Sequence, residues 1–419
     1  MSPWGTGCVT DLVCLLCGRH VPDGNVQTCP ACGAEGILDV RYDYDRVAKT
    51  LTRESLSSRS ANQWRYGELL PVSPLVAKPP LHVGWTPVYE VPRLAKEVGA
   101  GRLFIKDEGR NPTASFKDRA SSVAVMKALE FGARTVACAS TGNAASSLAG
   151  LSASVGIRSV IFLPDRAPEP KVTQLLIFGA TVVKVRGTYE QAFDLCRSAC
   201  EKFGWYNRNS GTNPFCVEGK KTAGLEIAEQ FGPSVPDWVV VSVGDGCTIG
   251  GIGKGLDEMH RLGFIPRVPR LLGVQAECAR PIVNAFESGS DLVPTAADTI
   301  ADSIAVGTPR NWRRALAGIK KSGGSMFAVP DGEILEAIRI TARLGGVFGE
   351  PAGVAGVAGV RRGRNSGVIG SDESVLVVIT GNGLKDIDSA RRAAGEPISI
   401  TPEISSLERA LVERGVTVP

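Results

Sequence analysis

The chain has 419 residues and a mass of 44.1 kDa, room for two or three domains at ~150 residues each. Hydrophobic residues make up 43% and charged residues 21%, which excludes a disordered or coiled-coil architecture. A balance of 47 basic against 43 acidic residues, net +4, is too weak for a nucleic-acid footprint, so no nucleic-acid partner is expected.

The chain opens Met-Ser-Pro-Trp-Gly, without a basic or apolar leader region, and a cytoplasmic protein is expected. The longest low-polarity stretch, Pro351 to Val360, is far shorter than the ~20 residues of a membrane span, so no membrane partner is expected. Eleven cysteines occur, five of them in the first 32 residues; the other six are scattered and read as buried small hydrophobes. Two CxxC-Gly turns, Cys14-Leu-Leu-Cys17-Gly18 and Cys29-Pro-Ala-Cys32-Gly33, are separated by eleven residues. Each turn aims two thiolates at one point, and Cys14, Cys17, Cys29 and Cys32 together offer four soft ligands for a closed, structural Zn2+ site. Four unrelated thiols is the alternative.

From Leu103 the chain alternates. Strands are expected at 103–106, 135–139, 159–163, 181–185, 238–243, 271–274 and 374–380. Helices are expected at 115–131, 143–155, 170–178, 189–203, 218–231 and 249–262. Apolar runs of this length, joined by helix-length segments, are the pattern of buried parallel strands with crossover helices. An α/β chain of this kind places its sites at the C-terminal ends of strands.

Three strand-end loops carry chemistry. In Asn111-Pro-Thr-Ala-Ser-Phe-Lys117-Asp-Arg119, Ser115 is a plausible helix cap. Lys117 then falls in a first turn, where the helix dipole disfavours a cation and lowers an amine's pKa. A solvated surface lysine is the plainer reading. Ser140-Thr141-Gly142-Asn143 turns from strand to helix with amides able to hold a carboxylate or phosphate; an ordinary helix start is the alternative. The loop Gly244, Asp245, Gly246, Cys247 and Thr248 is neither a dinucleotide fingerprint nor a Walker loop. It reads as a nest of N–H groups around one phosphate at a helix N-terminus. One phosphate, no nucleotide and an activated lysine together suggest pyridoxal 5'-phosphate.

Taken together, these loops resemble the threonine synthase family of fold-type-II pyridoxal-phosphate enzymes. The likeness extends to Leu38-Asp-Val-Arg-Tyr-Asp43, Trp64 to Pro71, Thr86-Pro87, Asn213 to Thr222, Glu350-Pro-Ala352 and Thr380 to Lys385. It implies an α/β fold with two interlaced parallel-sheet domains and a zinc-ribbon-like segment. The expected boundaries are 1–40 for the ribbon, 41–125 with 215–419 for the large cofactor-binding domain, and 126–214 for the small one. The resemblance also implies a homodimer. Its reaction is O-phosphohomoserine plus water giving threonine plus phosphate, a lyase reaction of amino-acid biosynthesis.

By the same likeness Lys117 bonds covalently to the cofactor and Asn143 meets its ring hydroxyl. Gly244 to Thr248 hold its phosphate, and Thr380 faces its ring nitrogen. Ser140 and Thr141 take the substrate's amino-acid end. The pattern breaks at Ala114 and Ala120, where glycine is usual, and in the Val83-Gly-Trp85-Thr-Pro87 loop, where two more glycines are common. It breaks again at Ala144, usually threonine, at Cys216, usually arginine, and at Lys220, usually glutamine. The usual threonine and arginine grip the substrate phosphate. The cofactor chemistry is therefore expected intact and the phosphate pocket altered, with Lys220 and Arg208 adding charge nearby. O-phosphohomoserine is expected to be a poor substrate, improved by Ala144→Thr with Cys216→Arg. The other readings are a paralogue doing β-replacement or elimination on a phosphoserine-like substrate in the manner of cysteate synthase, a dehydratase, and a catalytically inactive zinc-ribbon interaction protein.

Overall fold

A computed structural model describes residues 7–22, 24–165 and 169–416; the opening pentapeptide lies outside them. Strands β1 (Val9–Cys14), β2 (His20–Val21) and β3 (Leu38–Tyr42) form an antiparallel sheet in the order β2-β1-β3. Leu12, Leu38 and Val40 are buried, and so is Asp39 between the last two, paired with Lys254 and Arg314. Both CxxC turns close as their glycines predict. Gly18 and Gly33 have φ of 73° and 59°, the left-handed region that glycine enters without cost.

Beyond the ribbon come β4 (Val88–Glu90), β5 (Arg102–Asp107), β6 (Thr135–Ala139), β7 (Arg158–Pro164), β8 (Thr181–Val185) and β9 (Tyr206–Asn207). The chain continues through β10 (Trp238–Ser242), β11 (Arg270–Ala276), β12 (Ser325–Val329) and β13 (Ser374–Ile379). One sheet has the order β12-β11-β10-β13-β5-β4 and is parallel except for β4. A second, parallel throughout, has the order β8-β7-β6-β9. The chain leaves the larger sheet after β5, builds the second one, and returns at β10. Alternate residues of β10 and β13 enter opposite cores: Val239, Val241, Leu376 and Val378 on one face, Val240, Val375 and Val377 on the other. Burial on both faces explains their unbroken apolar runs. Among the described residues no helix is long and apolar enough to cross a membrane.

The low-polarity stretch from Pro351 begins the buried helix Pro351–Asn365. It lies close against the larger sheet, since a Cβ on Gly359 would fall 2.2 Å from a Val274 methyl. Two local expectations need correction. Ser115 caps nothing, because the helix Lys117–Glu130 starts after Phe116 without a side-chain cap. Ser115 instead bridges to Gly381, pulling its loop onto the end of β13. The edge strand β12 was not among the expected strands, although its Met326-Phe-Ala-Val329 run is apolar; it is five residues long, with three of them buried.

Candidate active site

The loops at the ends of β5, β6, β10 and β13 open onto one cavity of about 690 Å³. Lys117 stands on its wall because everything around it is tied down. Phe116 N–H donates to the Thr380 carbonyl at 2.8 Å, and Asn382 N–H to the Ala114 carbonyl at 3.0 Å. Asp118 accepts from Thr113 N–H at 2.6 Å and from the Thr113 hydroxyl. Arg119, fully buried, pairs with Glu108 at 2.7 Å and Glu226 at 2.6 Å. With its neighbours turned into the protein, Lys117 projects into the cavity.

Ala114 and Trp85 are the described non-glycine residues with positive φ, at 61° and 50°. Ala114 lies where the family pattern usually has glycine, and Trp85 lies in a loop where glycines are common. Both carry backbone strain of roughly 1–2 kcal/mol per residue, held by the Asn382 bond at Ala114 and by Trp85 N–H donating to Glu226 at 2.7 Å.

The Lys117 amine is pushed down to about 8, first by burial and then by the charges of Lys220 and Arg208. Burial and like charge thus add to the first-turn position read from the sequence. The sign gives a test. Only the neutral amine attacks an aldehyde, so apoprotein should capture added pyridoxal phosphate about tenfold faster per pH unit below the pKa and at a constant rate above it. Stopped-flow absorbance measures this, and a rate flat across that range would remove Lys117 as the titrating nucleophile.

Asn143 opens the helix Asn143–Val155, and its side-chain N–H donates to a Glu350 carboxylate oxygen at 2.7 Å. Burial, then Asp302, raises the Glu350 carboxyl to about 7. Glu350 fits because Gly381 lacks a Cβ, which would sit 2.2 Å from its carboxylate. Glu350 falls in the Glu350-Pro-Ala352 segment of the family likeness, which gives it no role in the site; its place before the helix-starting Pro351 was the further signal.

Gly246, at φ 92°, caps the helix Cys247–Arg261, whose first-turn amides lack intrahelical partners. Glycine is needed here, because a Cβ on Gly244 would lie 3.0 Å from Ile304 Cα and one on Gly246 2.7 Å from the Asn311 carbonyl oxygen. The Asp245 carboxylate, which would repel an anion, is occupied by Arg310 N–H at 2.7 Å, Asn311 at 3.3 Å and the Cys247 thiol at 2.9 Å. Burial pushes that thiol up to about 12. Thr248 lines the cavity, as do Ser140, Thr141, Ala144 and Thr380.

Lys220 reaches the same wall from the helix Pro214–Phe231. That helix touches Cys247–Arg261 backbone to backbone, since a Cβ on Gly224 or Gly255 would fall 2.2 Å from a carbonyl oxygen across the contact. Cys216 is set off from this group. Its thiol is 0% exposed, donates to the Arg208 carbonyl at 3.2 Å and is absent from the cavity lining. Arg208 lines the cavity instead.

The cavity thus brings together an amine of lowered pKa, an amide oriented by a carboxyl, a glycine-built anion nest and a strand-end hydroxyl. These donors fit pyridoxal phosphate: Lys117 to bond it, Gly244–Thr248 to hold its phosphate, and Asn143 and Thr380 to meet its ring. In the ribbon, the sulfurs of Cys14, Cys17, Cys29 and Cys32 all lie within 4.8 Å of one another, with Cys14–Cys32 at 4.0 Å and Cys17–Cys29 at 3.8 Å. A tetrahedral zinc with bonds of ~2.3 Å places its sulfurs ~3.8 Å apart. The cluster fits that ion.

Comparison with known proteins agrees with this geometry. Residues 80–381 match the family described as pyridoxal-phosphate dependent enzyme. The chain is 40% identical over 404 residues to the threonine synthase of Methanocaldococcus jannaschii, covering 96% of this chain and 99% of that protein. It is 41% identical over 406 residues to the threonine synthase of Methanosarcina acetivorans, covering 96% and 98%. Among solved structures, maize serine racemase superposes with a TM-score of 0.64 at 20% identity, over 78% of this chain and 92% of that one. This last likeness concerns the fold alone.

Proposed function

The chain belongs to the pyridoxal-phosphate dependent enzymes and, within them, to the threonine synthase family, and we propose that it converts O-phosphohomoserine and water into threonine and phosphate. The observation carrying this reading is Lys117, an amine of lowered pKa facing a glycine-built anion nest across one cavity. Bound there, the cofactor supplies an electron sink for charge developing at the substrate's Cα. The protein's part is positioning and proton transfer. Lys117, its pKa lowered to about 8 so that a neutral fraction is present near neutral pH, takes and returns the proton at Cα. Glu350 keeps the Asn143 amide oriented. Thr380 offers the ring nitrogen a hydroxyl rather than a carboxylate, which leaves that nitrogen less protonated. Ser140 and Thr141 take the substrate's α-carboxylate.

Holoenzyme given O-phosphohomoserine should release threonine and phosphate in equal amounts. A panel with O-phosphoserine, O-acetylated analogues and threonine tests the other readings. Turnover of O-phosphoserine or threonine without threonine formation would replace this assignment with a β-replacement enzyme or a dehydratase.

Three further readings accompany it. We assign the cysteine cluster to structural zinc, supported by the sulfur spacing, and expect about one zinc per chain; metal-free reduced protein would overturn this. We read the protein as cytoplasmic, supported by eleven unpaired cysteines, which suit a reducing compartment. The homodimer rests on the family resemblance alone.

A further inference from the structure

Two buried cations in the cavity, Arg208 and Lys220, have no counter-ion among the described residues. Arg208 is 2% exposed; its Nε donates to the Ser121 hydroxyl and its Nη1 to the Ser210 hydroxyl, both at 3.0 Å. Its Nη2 is buried without a partner. Lys220 is also 2% exposed, and no carboxylate among the described residues pairs with it. The next residue shows what a satisfied buried lysine has: Lys221 Nζ lies 2.6 Å from Glu218 and 3.0 Å from Glu258.

The acids around the cavity are committed elsewhere. Asp245 is bonded to Arg310, Asn311 and Cys247. Glu350 is held by Asn143, and Asp302 pairs with Lys171. Glu190 is exposed at the mouth. A buried charge is costly unless paired, so two unpaired cations beside one cavity are a site for an anion that the protein does not itself supply.

We propose that Arg208 and Lys220 form a second anion subsite, separate from the Gly244–Thr248 nest, which holds the distal phosphate of the amino-acid substrate. The assignment rests on the threonine synthase reading for the identity of the substrate, but not for the presence of the subsite. A planar fork beside a point charge suits a phosphate dianion better than a single carboxylate. Cys216 serves as a buttress, its thiol bonded to the Arg208 carbonyl. The charge missing at position 216 thus enters the pocket from the end of β9 and from the following helix.

The test uses holoenzyme, with inorganic phosphate as the probe, followed by calorimetry and by the phosphate-induced rise in melting temperature. Arg208→Gln and Lys220→Gln should each weaken phosphate binding at least tenfold and raise KM for O-phosphohomoserine at least tenfold, with a smaller change in kcat. Cofactor affinity should stay within threefold. Arg208→Lys, which keeps the charge and loses the fork, should fall between wild type and Arg208→Gln and covers the case in which the glutamine variant folds poorly. Unchanged phosphate affinity in both Lys220→Gln and Arg208→Lys would overturn the proposal. So would loss of cofactor in place of phosphate, which would assign the cations to the cofactor's own phosphate. Wild-type protein that binds phosphate through these residues yet forms no threonine would leave the subsite standing and remove the activity.

Discussion

Lys117→Ala should leave a folded protein that still takes up cofactor, without its lysine-bound absorbance, and turns over at least about 10³-fold more slowly. The expected loss is large because, in the proposed function, the same nitrogen bonds the cofactor and moves the proton at Cα. Folding should survive for a reason visible in the structure. No hydrogen bond among the described residues depends on the Lys117 amine, while its neighbours Asp118 and Arg119 are held by their own partners. The charge itself is unfavourable. Its pKa lies at about 8, below the ordinary 10.5, so the folded state releases that proton more readily than the unfolded one. The resulting stability cost is fully present below pH 8 and gone above the ordinary value. The alanine variant should therefore lose none of the thermal stability of apoprotein at neutral pH. Borohydride reduction and peptide mapping that label a different lysine would show the assignment to be wrong.

Cys216→Arg should destabilise the protein by at least ~3 kcal/mol, the combined effect of overpacking and an unpaired buried charge. From the family pattern alone the same change is expected to restore a phosphate grip. The structure gives the opposite sign. The thiol is fully buried against the Arg208 backbone, and a guanidinium there would enter a space already holding Arg208 and bordered by Lys220. Exchanging the two residues, as Arg208→Cys with Cys216→Arg, should recover at least half of the loss, because one guanidinium again occupies the region. Denaturant unfolding of both variants measures the difference. A stable Cys216→Arg protein with raised kcat/KM for O-phosphohomoserine would mean that position 216 does reach the substrate.

The α/β class, the ribbon and the Lys117, Asn143 and Gly244–Thr248 loops could be read from the sequence because each is a local arrangement. Apolar runs of strand length report burial on both faces. Paired CxxC-Gly turns need their glycines at positive φ, as Gly18 and Gly33 show. A glycine-rich strand end that opens a helix is an anion nest by its own backbone. What stayed hidden depends on partners distant in the chain. Lys220 and Lys221 are adjacent and identical, yet successive residues of a helix point ~100° apart. Packing against Cys247–Arg261 turns one toward the cavity and the other onto Glu218 and Glu258. Glu350 takes its place only where Gly381, 31 positions later in the sequence, leaves room for it. Ser115 has the composition of a cap but is drawn to Gly381 by the bridge. Local chemistry thus determined which groups the protein carries, while the direction each side chain faces, and so whether Arg208 or residue 216 brings charge to the cavity, was decided by the packing of helices and sheet ends that sequence spacing does not record.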